Sequence, residues 1–312
     1  MKYRRLGGSG LKVSEISLGS WLTYGGYVER ENAVDAIKTA YDIGINFFDT
    51  ANVYEQGAAE VLLGETLKLY PRESYVLATK VFGKMGEGPN DSGLSRKHII
   101  EQANASLKRL GHDYVDLYYC HRPDPETPLE ETLRALDDLV RQGKVLYVGV
   151  SEWQPSQIAE ALHVADRYLL DRIVVNQPIY NMFNRYIEKE VIPLGERSGI
   201  GQVVFSPLAQ GLLTGKYSSV TEVPEGSRAA KLDGMRKNIT EDKIAKVHEL
   251  EKIAKELEIS VGNLALAWIL RKANVSSALI GASRPEQVIE NAKASDIVLS
   301  EEIINQIEEI LK

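Results

Sequence analysis

The chain is almost free of cysteine: Cys120 stands alone among 312 residues. That excludes an intrachain disulfide and a thiolate-bound zinc site, and it fits a reducing compartment. An excess of basic charge is missing too. Lysine and arginine number 37 against 44 aspartates and glutamates, a formal net charge of −7. Non-specific nucleic-acid binding needs a basic face and is not expected, although a local basic pocket for one phosphate is compatible with that charge. No apolar run approaches the roughly 20 residues of a membrane-spanning helix. The start, MKYRRLGGSG, carries basic residues with no apolar stretch behind them, unlike a secretory signal. A cytoplasmic protein with no place in a membrane is therefore the expectation. His98, His112, His163 and His248 lack metal-ligand spacing, so no metal is expected. There is no linker, no low-complexity segment and no GxGxxG following an early strand.

What is there is an ordinary globular composition, 44% hydrophobic and 26% charged, arranged as a regular alternation. Short apolar runs predict strands at Glu15–Gly19, Asn46–Asp49, Tyr75–Lys80, Leu117–His121, Leu146–Ser151, Ile173–Gln177, Gln202–Ser206 and Ala278–Gly281. Helical periodicity falls between them, at Arg30–Ile43, Ala59–Leu69, Arg96–Leu110, Leu129–Gln142, Pro155–Tyr168, Ile187–Ser198 and Val261–Lys272. Ser95 and Ser260 suit helix N-caps, and Gly44, Gly143 and Gly199 suit C-terminal caps just before strands. Eight strands separated by helices close naturally into an α/β fold of the (β/α)8 TIM-barrel type, spanning residues 1–312 as a single domain. The main rival, an open doubly wound sheet, lacks its Gly-rich dinucleotide fingerprint. Tyr3–Leu6 and Leu11–Val13 form a hairpin that would plug the barrel bottom. Phe82–Leu94 and Leu212–Thr240 exceed ordinary connections and would wall the C-terminal face.

Polar residues end several of these apolar runs. Asp49, Lys80 and His121 close the second, third and fourth strands, and Tyr54 follows the second. Barrel enzymes build their sites at that end of the strands. Tyrosine is a poor acid alone, with an ordinary pKa of about 10. The Lys80 ammonium would lower it, Asp49 would hold Lys80, and His121 would orient a substrate oxygen or relay a proton. The set suits protonation of a carbonyl oxygen while a hydride from a nicotinamide reaches its carbon. A hydrolase using Asp49 and His121 leaves Tyr54 and Lys80 unexplained. Cys120 beside His121 would face the opposite way on its strand.

The segments KYRRLGGSGLKVS, GINFFDTANVY, GLSRKHIIEQANASLKRL, YVDLYYCHRPDP, FSPLAQGLLTGKY and GASRPEQVIENA resemble the aldo-keto reductase superfamily across essentially the whole chain. The resemblance is closest to the branch containing the β subunits of voltage-gated potassium channels and their bacterial relatives. It implies the same catalytic set: Asp49, Tyr54, Lys80 and His121. The channel subunits generally carry Asn where this chain has His121, which looks more like the ordinary enzymatic pattern.

The resemblance also implies NADPH, extended across the barrel mouth. Ser151, Asn176 and Gln177 would hold the carboxamide with Tyr180 nearby, and Ser20 and Trp21 would edge the pocket. Phe205, Ser206, Leu208 and Gln210 would follow the pyrophosphate, with Lys216 and Arg228 folded over it. Gly281, Ser283, Gln287, Glu290 and Asn291 would receive the adenosine end. Arg284 is a further partner for a 2′-phosphate, since its fork suits phosphate and the Pro285 helix offers its first-turn amides there. Of Trp21, Tyr24 and Trp153, which could wall an apolar substrate pocket, only Trp21 sits at a strand end that argues for it, and Trp153, at a helix start, reads as packing. The expected activity is NADP(H)-dependent reduction of a small aldehyde or ketone. The alternative is a cofactor-sensing interaction subunit with weak catalysis. A homo-oligomer is compatible with either, and no single exposed apolar stripe decides it.

Overall fold

The computed structural model describes residues 1–21, 24, 26, 28–220 and 238–312. Its N-terminal hairpin pairs β1 (Tyr3–Arg5) with β2 (Lys12–Ser14), Tyr3 opposite Ser14. The next eight strands form a closed parallel barrel in chain order: β3 (Ile16–Gly19), β4 (Phe47–Asp49), β5 (Val76–Val81), β6 (Val115–Cys120), β7 (Val145–Ser151), β8 (Ile173–Gln177), β9 (Gly201–Phe205) and β10 (Val275–Gly281). Closure runs through β10 and β3, with Ala278 beside Ile16 and Gly281 beside Gly19. The strands are buried nearly throughout and read as continuous apolar runs, as strands covered on both faces must. This is the expected (β/α)8 barrel.

Two apolar layers follow from the period of two along each strand. Inside the barrel, Phe47, Val76, Ala78, Leu117, Tyr119, Val175, Val203 and Leu279 pack with Leu6 and Val13 of the hairpin. Outside, the alternate residues meet the helices. The described helices are α1 (Arg30–Asp42), α2 (Ala58–Leu67), α3 (Arg96–Leu110), α4 (Leu129–Arg141), α5 (Pro155–Tyr168), α6 (Val191–Ser198), α7 (Glu241–Glu256), α8 (Val261–Leu270), α9 (Pro285–Ala292) and α10 (Glu301–Leu311). On α4, Leu133, Leu136 and Leu139 bury the predicted face. Ser95 and Ser260 cap α3 and α8 by accepting from the amides of His98 and Asn263, each at 3.2 Å.

One boundary differs. The stretch expected as a helix from Ile187 is a single turn, Tyr186–Glu188, and α6 starts only at Val191. Pro193 explains it, because its ring would strike the carbonyl four residues back and it has no amide hydrogen to donate.

Candidate active site

Each barrel strand delivers its last inward-facing residue to the same end of the barrel. Asp49 is the final residue of β4, Lys80 lies one residue before the end of β5, and His121 follows β6. Tyr54 opens a short 3-10 turn, Tyr54–Gly57, just beyond β4. That turn is bent hard: Glu55, Gln56 and Gly57 all have positive φ, at 48°, 51° and 94°. Among the described residues eight non-glycines have positive φ, and six of them (Glu55, Gln56, Glu152, Ser206, Ala209 and Gln210) follow β4, β7 or β9 at this mouth. Such conformations persist only where the surroundings fix them.

Asp49 and Tyr54 meet at the Lys80 ammonium, which is fully buried, and His121 joins them through Tyr54. An ammonium has three N–H donors, and here each has an acceptor. One forms an ion pair with Asp49, one reaches the Thr50 carbonyl at 2.8 Å, and one reaches the Tyr54 hydroxyl oxygen at 3.4 Å. The Tyr54 hydroxyl keeps its own hydrogen to give away. On its other side lies His121 Nε2, also at 3.4 Å. The second Asp49 oxygen accepts from Gln177 Nε2 at 2.9 Å. Gln177 ends β8, which stands across the barrel from β4, so this bond spans the interior.

The electrostatics depart from expectation in one respect. Burial pushes the Tyr54 phenol above its ordinary value, and the Lys80 ammonium beside it offsets that only in part. Burial also raises the Asp49 carboxyl, against the pull of Lys80. Burial alone would lower Lys80, but Asp49 and Tyr54 outweigh it and hold the ammonium above its ordinary pKa. His121 is pushed down to about 2 by burial, then by Lys80 and Arg122, so its imidazole is neutral. A neutral ring can donate through one nitrogen to a substrate oxygen. Cys120 faces the outer apolar layer, where burial lifts its thiol to about 12, an inert group.

A cavity of about 770 Å³ opens over this cluster and runs across the mouth. Trp21, Tyr54, His121, Ser151 and Gln177 line one end. Phe205, Ser206, Leu208, Gln210 and Lys216 line its middle, and Gly281, Gln287, Glu290 and Asn291 the far end. Four of the described residues expected at the cofactor, Ser20, Asn176, Ser283 and Arg284, are not on this wall. Arg228 lies outside the described residues. Asn176 neighbours Gln177 and so faces outward, where its amide donates to Gln202 at 3.2 Å. Ser20 is buried beneath the wall, its amide bonded to the Asp49 carbonyl at 3.0 Å. The Ser283 amide donates to Gln287 Oε1 at 2.8 Å, closing the start of α9, whose N-cap is Arg284.

The aromatic wall follows the strand-end argument, which favoured Trp21. Tyr24 and Trp153 are buried in the core, and of the three aromatic residues only Trp21 lines the cavity. Tyr180 points elsewhere, donating to Glu188 and stacking on Trp268 at 5.5 Å. Val53, Glu55, Arg122 and Leu279 line the cavity without having been singled out from the sequence. For Arg122 a signal existed, since it is the immediate neighbour of His121.

The profile of the Aldo/keto reductase family matches residues 15–312. The chain belongs to the aldo/keto reductase family. It is 43% identical to a probable voltage-gated potassium channel subunit beta of Oryza sativa subsp. japonica, covering 100% of this chain and 97% of that protein. A probable voltage-gated potassium channel subunit beta of Arabidopsis thaliana is 44% identical over the same shares. A putative voltage-gated potassium channel subunit beta of Schizosaccharomyces pombe is 46% identical, over 99% of this chain and 93% of its own. Among the described residues of this family member, no helix is long and apolar enough to cross a membrane.

Proposed function

We propose that this protein reduces aldehydes or ketones to alcohols with NADPH, reversibly, with Tyr54 as the proton donor. The observation that carries the reading is the buried Asp49–Lys80–Tyr54 chain beside a neutral His121 at the floor of an open cavity. Lys80 donates to the Tyr54 oxygen, so negative charge forming there on proton loss is met by an ammonium already in place. Asp49, fixed by Gln177 as well as by Lys80, keeps that ammonium from moving. His121 orients the carbonyl oxygen by donating a hydrogen bond and does not compete as an acid.

The cavity wall suits a dinucleotide phosphate. Gly211 and Lys216 approach so closely that a Cβ at Gly211 would lie 2.8 Å from the lysine Nζ, leaving bare backbone beside a cation. At the far end stands the start of α9, whose first-turn amides and dipole favour an anion. When bound, the reduced nicotinamide supplies the hydride that no side chain can deliver. Ser151 and Gln177 would hold its carboxamide end, Ser206, Gln210 and Lys216 the pyrophosphate, and Gln287, Glu290 and Asn291 the adenosine. Arg284 would meet a 2′-phosphate.

The names of the relatives favour a second reading, a cofactor-sensing interaction subunit with weak catalysis. One experiment separates the two. NADPH oxidation with a reactive aromatic aldehyde is followed for the intact protein and for Tyr54→Phe. The reductase reading expects at least about a hundredfold loss of kcat in the variant, the usual contribution of a general acid, with NADPH binding retained. Tight NADPH binding with no turnover in either protein would overturn it. NADPH-dependent capture of a single membrane channel would then support the second reading.

A further inference from the structure

We infer that Arg122 is a substrate-selecting residue that receives an anionic group, a carboxylate in the simplest case, on the carbonyl compound reduced at Tyr54. The inference rests on the reductase reading above and specifies the substrate class of that same site.

Arg122 follows His121 at the end of β6 and lines the cavity with it. Its guanidinium is held by one corner only. Nη1 donates to the His121 carbonyl at 2.7 Å and to the Ser151 hydroxyl at 3.4 Å. A guanidinium has five N–H groups, and those two bonds engage one nitrogen. The Nε–Nη2 edge, the edge that matches both oxygens of a carboxylate, makes no hydrogen bond among the described residues. Nor does Arg122 form an ion pair there. The carboxylates nearby do not fill the role. Glu152 Oε1 accepts from the Ile179 amide at 2.7 Å and from the Tyr186 hydroxyl at 3.2 Å. Asp124 Oδ2 accepts from the Leu94 amide and the Thr127 hydroxyl, at 2.7 and 2.8 Å. Glu55 shares the cavity wall without pairing with Arg122.

The cation is electrostatically close to the reacting groups, since it acts on both His121 and Tyr54. It is also far from the phosphate-binding features. Around the barrel, β6 is four strands from β10 in either direction, and α9 follows β10. The anion that Arg122 meets therefore belongs to the substrate, not to the nucleotide. A carbonyl seated between Tyr54 and His121 would have its carboxylate directed along the β6–β7 side of the mouth, towards the open edge of the guanidinium.

The test compares 4-formylbenzoate with its methyl ester, two aldehydes that differ in charge at the end remote from the carbonyl. The ratio of kcat/KM for acid over ester is measured with NADPH in the intact protein, in Arg122→Gln and in Arg122→Lys. The expected result is a ratio that falls at least about tenfold in Arg122→Gln, the worth of a charge-assisted hydrogen bond, and recovers in part in Arg122→Lys. Because Arg122 is exposed, the ratio in the intact protein should also shrink at high ionic strength. Calorimetric binding of benzoate and of benzamide to the complex with NADP+ gives a second readout that needs no turnover. Turnover of both aldehydes at a ratio that Arg122→Gln leaves unchanged would overturn the inference and leave the reductase reading standing. No turnover by the intact protein, with benzoate binding that depends on Arg122, would overturn the reductase reading and keep the anion site. Absence of both would overturn the two together.

Discussion

A lysine with three acceptors around three donors explains why the side chains at the mouth hold one geometry. The same burial that fixes it sets the protonation states. His121 has Lys80 and Arg122 as charged neighbours and Tyr54 as its contact, and its folded pKa of about 2 lies far below the ordinary value. In the unfolded chain that value returns to about 6.5. Between those limits the unfolded state binds one proton more, so stability rises with pH and is lost as pH falls below about 6.5. The slope from this one group approaches about 1.4 kcal/mol per pH unit. His121→Asn, which cannot titrate, should lose stability less steeply than the parent between pH 6.5 and 4.5, as urea midpoints at several pH values would measure. His98 and His112, also lowered by burial, are present in both proteins and cancel in the comparison. Parallel slopes would mean that His121 is not held neutral. The identities of these side chains were legible in the sequence because Asp49, Lys80 and His121 each end an apolar run and Tyr54 closely follows one. So were the Asp49–Lys80 and Lys80–Tyr54 pairings, but not the partner on the far side: Gln177 reaches Asp49 from 128 positions away, and only barrel closure brings the two together.

Secondary structure was the most legible level, for a physical reason. A strand covered on both faces must be apolar throughout, and a helix on a barrel must be apolar on one face, so both signals are local. All eight barrel strands and helices α1 to α5 stand within a few residues of the expected bounds. Local reasoning fails where the cause is a neighbour. Gly64 sits inside α2, where alanine would favour the helix by about 1 kcal/mol. Propensity alone marks it as a weakness. Yet a Cβ there would lie 2.1 Å from the Leu110 carbonyl oxygen at the end of α3. That contact is with backbone and cannot be relieved by a rotamer change, so α2 and α3 would have to separate. Gly64→Ala should therefore destabilise by about 1–3 kcal/mol in spite of the gain in propensity. Urea unfolding would measure it, and a more stable variant would mean the helices part without cost. The glycine is what allows the two helices to approach, a requirement written 46 residues away from it.

The barrel closes on its own N-terminus. Arg4 donates to the carbonyls of Leu270 and Val275, at 2.7 and 2.8 Å, and also pairs with Glu15. The hairpin is thereby tied to the turn that leads into the last strand. Gly7 lies so close to the turn before β9 that a Cβ would stand 2.4 Å from the Gly199 oxygen. Leu6, with no exposure, fills the bottom of the interior below Phe47, Val76 and Leu117. A residue in one apolar cluster with side chains of six barrel strands stabilises the closed ring rather than a single βα unit. Leu6→Ala should cost about 2–5 kcal/mol, since the strands around it are paired on both sides and cannot collapse into the space. The way the protein then melts tests whether residues 1–312 form one cooperative domain. Trp153 follows β7 at the opposite end of the barrel, and Trp268 lies in α8 outside it. If the ring is one unit, a defect at its bottom must lower the midpoint seen by tryptophan fluorescence and that seen by far-UV circular dichroism together. Midpoints that separate in Leu6→Ala would instead mean that the mouth, where the Lys80 cluster lies, remains folded after the bottom has opened. The buried Asp49–Lys80 pair argues against that, because its geometry depends on a dry interior that an opened barrel would flood.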